Sequence, residues 1–157
     1  MKDQMMLTDA KRVLAVASGG GHWDELMLLR PTLERYDVRF ATTDPELAAQ
    51  RGITTVDRLP DCNRNRPLQA LYCGFVALRL VLKHRPHVVI STGAAPGFMC
   101  LIAARVIGAR TLWIDSVANG EELSMCGRLS MTFANECWVQ WEDLATRTNS
   151  RYFGAVL

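Results

Sequence analysis

The chain has 157 residues, 49% of them apolar, a size that suits one domain with a real core and not a two-domain enzyme. Its 18 basic and 16 acidic residues leave a formal charge of +2, too balanced to argue for nucleic acid as a partner. Cys62, Cys73, Cys100, Cys126 and Cys137 form no C-x-x-C pair and no zinc-ligand spacing, which argues against a metal site; Cys73, Cys100 and Cys137 lie in apolar segments and read as small buried residues in a reducing compartment.

Residues 1–11, MKDQMMLTDAK, contain no apolar run of signal-peptide length and read as a flexible segment. Residues 12–18, RVLAVAS, are nearly all apolar and end on glycines, as a buried parallel strand does. A helix is predicted over 22–35 from Leu26, Leu29 and Leu33, then a strand over 37–43, a short helix over 45–51 closed by Gly52, and a weaker strand over 53–59. A polar loop fills 61–67. Beyond it come a helix over 68–84, a strand over 87–92, a small-residue helix over 96–107 closed by Gly108, and a strand over 109–115. A helix over 121–133 and a sixth strand over 136–141 complete the pattern. Regular alternation of strand and helix builds an α/β fold, a Rossmann-like open parallel sheet with helices on both faces. Ligands of such sheets bind at the carboxyl edge, where the loops at 18–25, 91–97 and 115–124 should converge.

The first of these loops reads SGGGHWDELMLL over 18–29. Gly19, Gly20 and Gly21 let the backbone approach a ligand, and the helix start that follows favours an anion. No G-K-[ST] follows, and Asp24 stands where G-x-G-x-x-G needs its last glycine. Asp44, near the end of the second strand, keeps a dinucleotide alternative open. His22 at the helix N-terminus is disfavoured as imidazolium and suits proton acceptance from a sugar hydroxyl. Asp24 and Glu25 either cap the helix or hold the ring. Trp23 suits stacking on a sugar or packing in the core.

Ser91, Thr92 and Gly93 open the second loop, with hydroxyls able to donate to a bound oxygen and Gly97 giving space. In the third, Asp115 ends an apolar strand, so its charge must be exposed or paired. A dyad of Asp115 with Glu121 or Glu122 would serve acid–base chemistry, although helix capping accounts for the glutamates equally well.

Two apolar surfaces stand apart from the cleft. Leu68, Leu71, Phe75, Leu78 and Leu82 recur at spacings of three and four. Arg64, Arg66, Arg79, Lys83 and Arg85 lie among or beside them. Part of that stripe must pack on the sheet, but apolar area beside basic charge marks an interfacial helix, with Arg64, Arg66, Leu71, Phe75 and Arg79 facing the membrane. The last residues, YFGAVL over 152–157, carry no charged side chain and read as an interface tail beyond a domain at 12–151.

Three blocks carry a resemblance: SGGGHWDELMLL at 18–29, LKHRPHVVISTGAAPG at 82–97 and TLWIDSVANGEELSMCGRLSMTFANECWVQWEDL at 111–144. Together they resemble the acceptor-side subunit of the split N-acetylglucosaminyltransferase that extends dolichol-pyrophosphate-linked sugar, and its bacterial polysaccharide-biosynthesis relatives. The resemblance implies the N-terminal, acceptor half of a GT-B glycosyltransferase. It implies a small partner subunit that supplies the nucleotide-sugar site, most simply for a UDP-sugar, while this chain binds no cofactor. The acceptor would be a polyprenyl-pyrophosphate-linked sugar on the cytoplasmic face of a membrane. His22, Asp115 and Glu121 are then the candidates for catalysis. Gly19, Gly20, Gly21, Trp23, Glu25, Ser91, Thr92, Gly93 and Arg128 are the candidates for acceptor binding, and Phe153, Gly154, Val156 and Leu157 those for holding the partner. The membrane-spanning anchor of the eukaryotic pattern is not seen in the sequence. Two other readings remain: a free-standing nucleotide or dinucleotide binder, and a non-catalytic scaffold that recruits a catalytic partner.

Overall fold

A computed structural model describes residues 10–62 and 65–156. Among them, seven strands form one sheet in the order β3-β2-β1-β4-β5-β6-β7, with every neighbouring pair parallel. The strands are β1 (Arg12–Ala17), β2 (Asp37–Thr42), β3 (Val56–Arg58), β4 (Val88–Gly93), β5 (Arg110–Ile114), β6 (Glu136–Val139) and β7 (Arg151–Tyr152). The helices are α1 (Gly21–Leu28), α2 (Arg30–Leu33), α3 (Pro45–Gln50), α4 (Pro67–His84), α5 (Ala94–Val106), α6 (Met125–Phe133) and α7 (Glu142–Thr148).

The central strand shows why the layers form. Side chains alternate across a strand, so Leu14 and Val16 enter the core beneath α4 and α5, while Val13, Ala15 and Ala17 enter the core beneath α1 and α3. All five are buried, as both faces of a central parallel strand must be. Truncating Leu14 to Ala would cost about 2–5 kcal/mol, the range for a buried leucine.

Several boundaries differ from the sequence reading. The helix expected over 22–35 is two pieces, because Pro31 cannot donate the N–H that would carry α1 through. The helix expected from 121 starts at Met125, capped by the Ser124 hydroxyl, which accepts from Gly127 N at 2.8 Å. Helix α7 and the two-residue β7 were not anticipated. The chain order turns back at β1 and β4, which lie side by side. The loops after these two strands therefore share one end of the sheet.

Helix α4 buries Cys73, Ala77, Leu80 and Val81. Small side chains on α4 and on α5 (Cys100, Ala103, Ala104) let the two helices approach closely. The other face of α4 stays in water: Leu68 is 81% exposed, Leu71 73% and Phe75 56%. Leu78 packs partly against the core, so the leucine stripe is split and mostly outward. The guanidinium of Arg79 lies 5.9 Å from the Phe75 ring centre. Arg64 lies outside the described residues. No helix among the described residues is long and apolar enough to cross a membrane.

Candidate functional site

Gly20 has φ +73°, a left-handed conformation that the turn from β1 into α1 requires and that glycine adopts without strain. Gly19 sits against β2: its N–H donates to Thr43 Oγ1 at 3.0 Å, and an added Cβ would meet Asp44 Cβ at 3.0 Å. Asp44 caps α3, its Oδ1 accepting from Glu46 N and Leu47 N.

His22 crosses from α1 to the end of β4. Its Nδ1 lies 3.2 Å from the Thr92 carbonyl oxygen, and the Thr92 hydroxyl donates back to the His22 carbonyl at 2.7 Å. A carbonyl only accepts, so Nδ1 is the donor, and in the neutral ring Nε2 then carries the lone pair. The ring packs on Gly93, where an added Cβ would stand 2.1 Å from Nδ1. The loops after β1 and β4 thus meet as expected, with the imidazole at their junction.

Other residues serve the scaffold. Trp23 is 1% exposed and packs edge-on to Phe40 at 6.1 Å, so it has no face to offer a sugar. Glu25 is buried; Oε1 accepts from Ser116 Oγ at 2.6 Å and Val117 N at 3.2 Å, and Oε2 accepts from Gln140 Nε2 at 3.2 Å. It ties α1 to the loops after β5 and β6 and is not at the cleft surface. Asp24 turns outward to Arg51 at 2.6 Å, so neither acid holds the His22 ring. Ser91 and Thr92 are fully buried; Ser91 Oγ accepts from Gly93 N at 3.2 Å and would be 2.0 Å from a Cβ at Gly97. Their hydroxyls hold the turn.

Asp115 is the clearest correction. It is 1% exposed and fully engaged: Oδ1 accepts from Trp113 Nε1 at 3.0 Å and Ser124 Oγ at 2.6 Å, while Oδ2 accepts from Ser124 N at 2.9 Å and Asn119 Nδ2 at 3.4 Å. A Cβ at Gly127 would come within 2.7 Å of Oδ1. This carboxylate builds the loop from β5 to α6, and no acid–base dyad forms with Glu121 or Glu122. Glu121 is exposed beside a second cleft, of about 840 Å³, that also borders Trp141 and Arg147. Glu122 pairs with Arg128 at 3.2 Å on the surface, so the Arg128 charge is already partnered.

The tail is anchored at two points. Tyr152 pairs with Val139 in the sheet, and Val156 N donates to Gln140 Oε1 at 3.0 Å. Between them Phe153 stays exposed, 4.7 Å from the Trp138 ring centre and 5.0 Å from the Arg151 guanidinium, and Gly154 takes φ +99°. Leu157 lies outside the described residues.

Sequence reasoning missed the Glu25–Ser116–Gln140 network and the place of Arg58 on the cleft wall. A buried acid in the first turn looks in sequence like any helix-start acid, and Arg58 looked like one basic residue among many.

The family described as "Oligosaccharide biosynthesis protein Alg14 like" matches residues 64–156. The "UDP-N-acetylglucosamine transferase subunit ALG14" of the yeast Yarrowia lipolytica is 33% identical over 167 aligned positions, covering 100% of this chain and 73% of that protein. The protein of the same name from Eremothecium gossypii is 38% identical over 86 residues, which is 50% of this chain and 38% of that relative. The match thus spans well under two thirds of the Eremothecium protein. These relatives are fungal, and they do not support the bacterial half of the resemblance. Among solved structures, MurG of Acinetobacter baumannii superposes with a TM-score of 0.72 at 17% identity, over 85% of this chain and 43% of MurG. At that identity the likeness establishes the fold alone.

Proposed function

The chain belongs to the family of Alg14-like oligosaccharide biosynthesis proteins, and on that premise we propose that it is the acceptor-binding, membrane-recruiting subunit of a two-chain inverting glycosyltransferase. In this reading it corresponds to the N-terminal half of a GT-B enzyme. A second, smaller chain carries the nucleotide-sugar site, and UDP-N-acetylglucosamine is the first donor to test, given the names of the relatives. The acceptor is a sugar on polyprenyl pyrophosphate. The site lies on the cytoplasmic face of the membrane, and the exposed α4 surface makes the contact with lipid.

One observation carries the proposal: the half-buried His22 is fixed through Nδ1 at the junction of two strand-end loops, and its Nε2 makes no hydrogen bond among the described residues. Nε2 takes the proton of the acceptor hydroxyl as that oxygen attacks the anomeric carbon of the donor. The new carbon–oxygen bond forms on the face opposite the departing nucleotide diphosphate, which leaves with the electron pair of the broken bond. Groups on the partner stabilise that leaving charge. The first-turn amides of α1 have no acceptors within the helix and favour the acceptor's pyrophosphate. Alignment of two substrates accounts for much of such a rate, and one open wall does not provide it.

Equilibrium titration separates the roles of the two chains. This chain alone should bind polyprenyl-pyrophosphoryl-N-acetylglucosamine in detergent micelles and show no saturable binding of UDP-N-acetylglucosamine. Tight donor binding with no acceptor binding would reverse the assignment.

A further inference from the structure

Arg58 stands at the last rung of β3, paired in register with Thr42, and its side chain borders two clefts at once. One, of about 750 Å³, opens at the carboxyl edge beside Gly19, Gly20 and Thr43. The other, of about 410 Å³, is a groove between β3 and α4, lined by Tyr72, Phe75 and Arg79 on the exposed apolar face of α4. The preceding residue, Asp57, already holds Lys83 at 3.3 Å and His84 at 2.8 Å. Arg58 forms no ion pair among the described residues.

We infer that Arg58 is the pyrophosphate clamp of the acceptor, at the point where the lipid leaves the α4 groove and its headgroup enters the glycine cleft. Among the described residues it is the single cation on the glycine-cleft wall, which also carries Asp44, Glu46 and Asp61, so an anion entering there has Arg58 alone to pair with. Strand ends β1 and β3 are two strand spacings apart, about 10 Å. An arginine and a diphosphate together bridge that distance to the glycine loop. A guanidinium grips phosphate oxygens in bidentate fashion, which an ammonium does not. The polyprenyl chain then lies along Leu71, Tyr72 and Phe75, in or at the membrane.

This inference rests on the acceptor-subunit reading, and one experiment separates their failures. The assembled pair is assayed at saturating UDP-N-acetylglucosamine while polyprenyl-pyrophosphoryl-N-acetylglucosamine is varied. In parallel, binding of polyprenyl pyrophosphate and of uncharged polyprenol is measured. R58Q should raise the acceptor KM by about 10- to 100-fold, as expected for a lost charge-assisted contact, with kcat nearly kept. R58K should recover part of the loss. Polyprenyl pyrophosphate should bind the wild type more tightly than polyprenol does, and R58Q should remove that difference. Vesicle association should stay at the wild-type level in R58Q. An unchanged KM in an active pair, or equal binding of both lipids by the wild type, would overturn the clamp. Wild-type pairs that bind the pyrophosphate through Arg58 yet transfer no sugar would defeat the functional reading and leave the clamp standing. A drop in vesicle association equal to the loss in binding would make Arg58 a general lipid contact and contradict the proposal.

Discussion

A methyl group at Gly93 would stand 2.1 Å from Nδ1 of His22, inside any permitted contact, so G93A should push the ring off the Thr92 carbonyl. The assembled enzyme should then lose activity on the scale of H22A, roughly 10²–10⁴-fold for a lost acid–base group. G93A should also destabilise the chain by about 1–3 kcal/mol, as overpacking does, whereas H22A should unfold at nearly the wild-type temperature. Turnover and thermal melting on the two variants check both statements. The thiols give a pH test. Burial pushes Cys100 and Cys137 from 9.0 up to about 12 and Cys126 to about 11. Both folded and unfolded thiols hold their proton below about pH 9, so the cost of burying them as thiolates is absent there. Above pH 9 the unfolded chain releases protons that the folded chain retains, and stability falls toward pH 12. Urea midpoints at pH 7.5, 9 and 10.5 should fall slightly over the first step and more steeply over the last. At this scale the sequence showed the glycine–histidine loop, because its residue types have few other uses. It did not show that Ser124 and Trp113 return to Asp115, since a carboxylate at a strand end looks the same whether it faces ligand or loop.

Helix α4 was legible in extent from its leucine spacing, although it begins at Pro67, and the sequence left open which side faces the core. Packing against α5 chose the side with Cys73 and Ala77, leaving the large residues outward. L71Q/F75Q should therefore keep the thermal stability of the chain and weaken its flotation with anionic vesicles. R66E/R79E should weaken it further at low salt than at high salt, because screening removes the charge contribution. Equal flotation by the wild type and both variants would remove α4 from membrane contact. Helix α7 and β7 escaped the sequence reading because seven and two residues give too little periodicity to detect. The tail beyond them is held by single contacts at Tyr152 and Val156 with Phe153 exposed between. Deleting residues 153–157 should lower the melting temperature only slightly and weaken partner binding in a pull-down or calorimetric titration. Full partner affinity after the deletion would show that the tail serves this domain alone.

One parallel sheet reverses its order between β1 and β4; strand–helix alternation implied the parallel sheet and the common loop edge but not this order. What alternation does not tell is that the fold covers only 43% of the MurG chain on which it superposes. The two-chain reading rests on the family to which the chain belongs. The most direct test of that claim is sugar transfer from UDP-N-acetylglucosamine to polyprenyl-pyrophosphoryl-N-acetylglucosamine by this chain, by the nucleotide-sugar-binding chain, and by the two mixed. The account predicts product only from the mixture, with a single added sugar of inverted anomeric configuration. Robust product from this chain alone, or none from a mixture shown to form a complex, would contradict it.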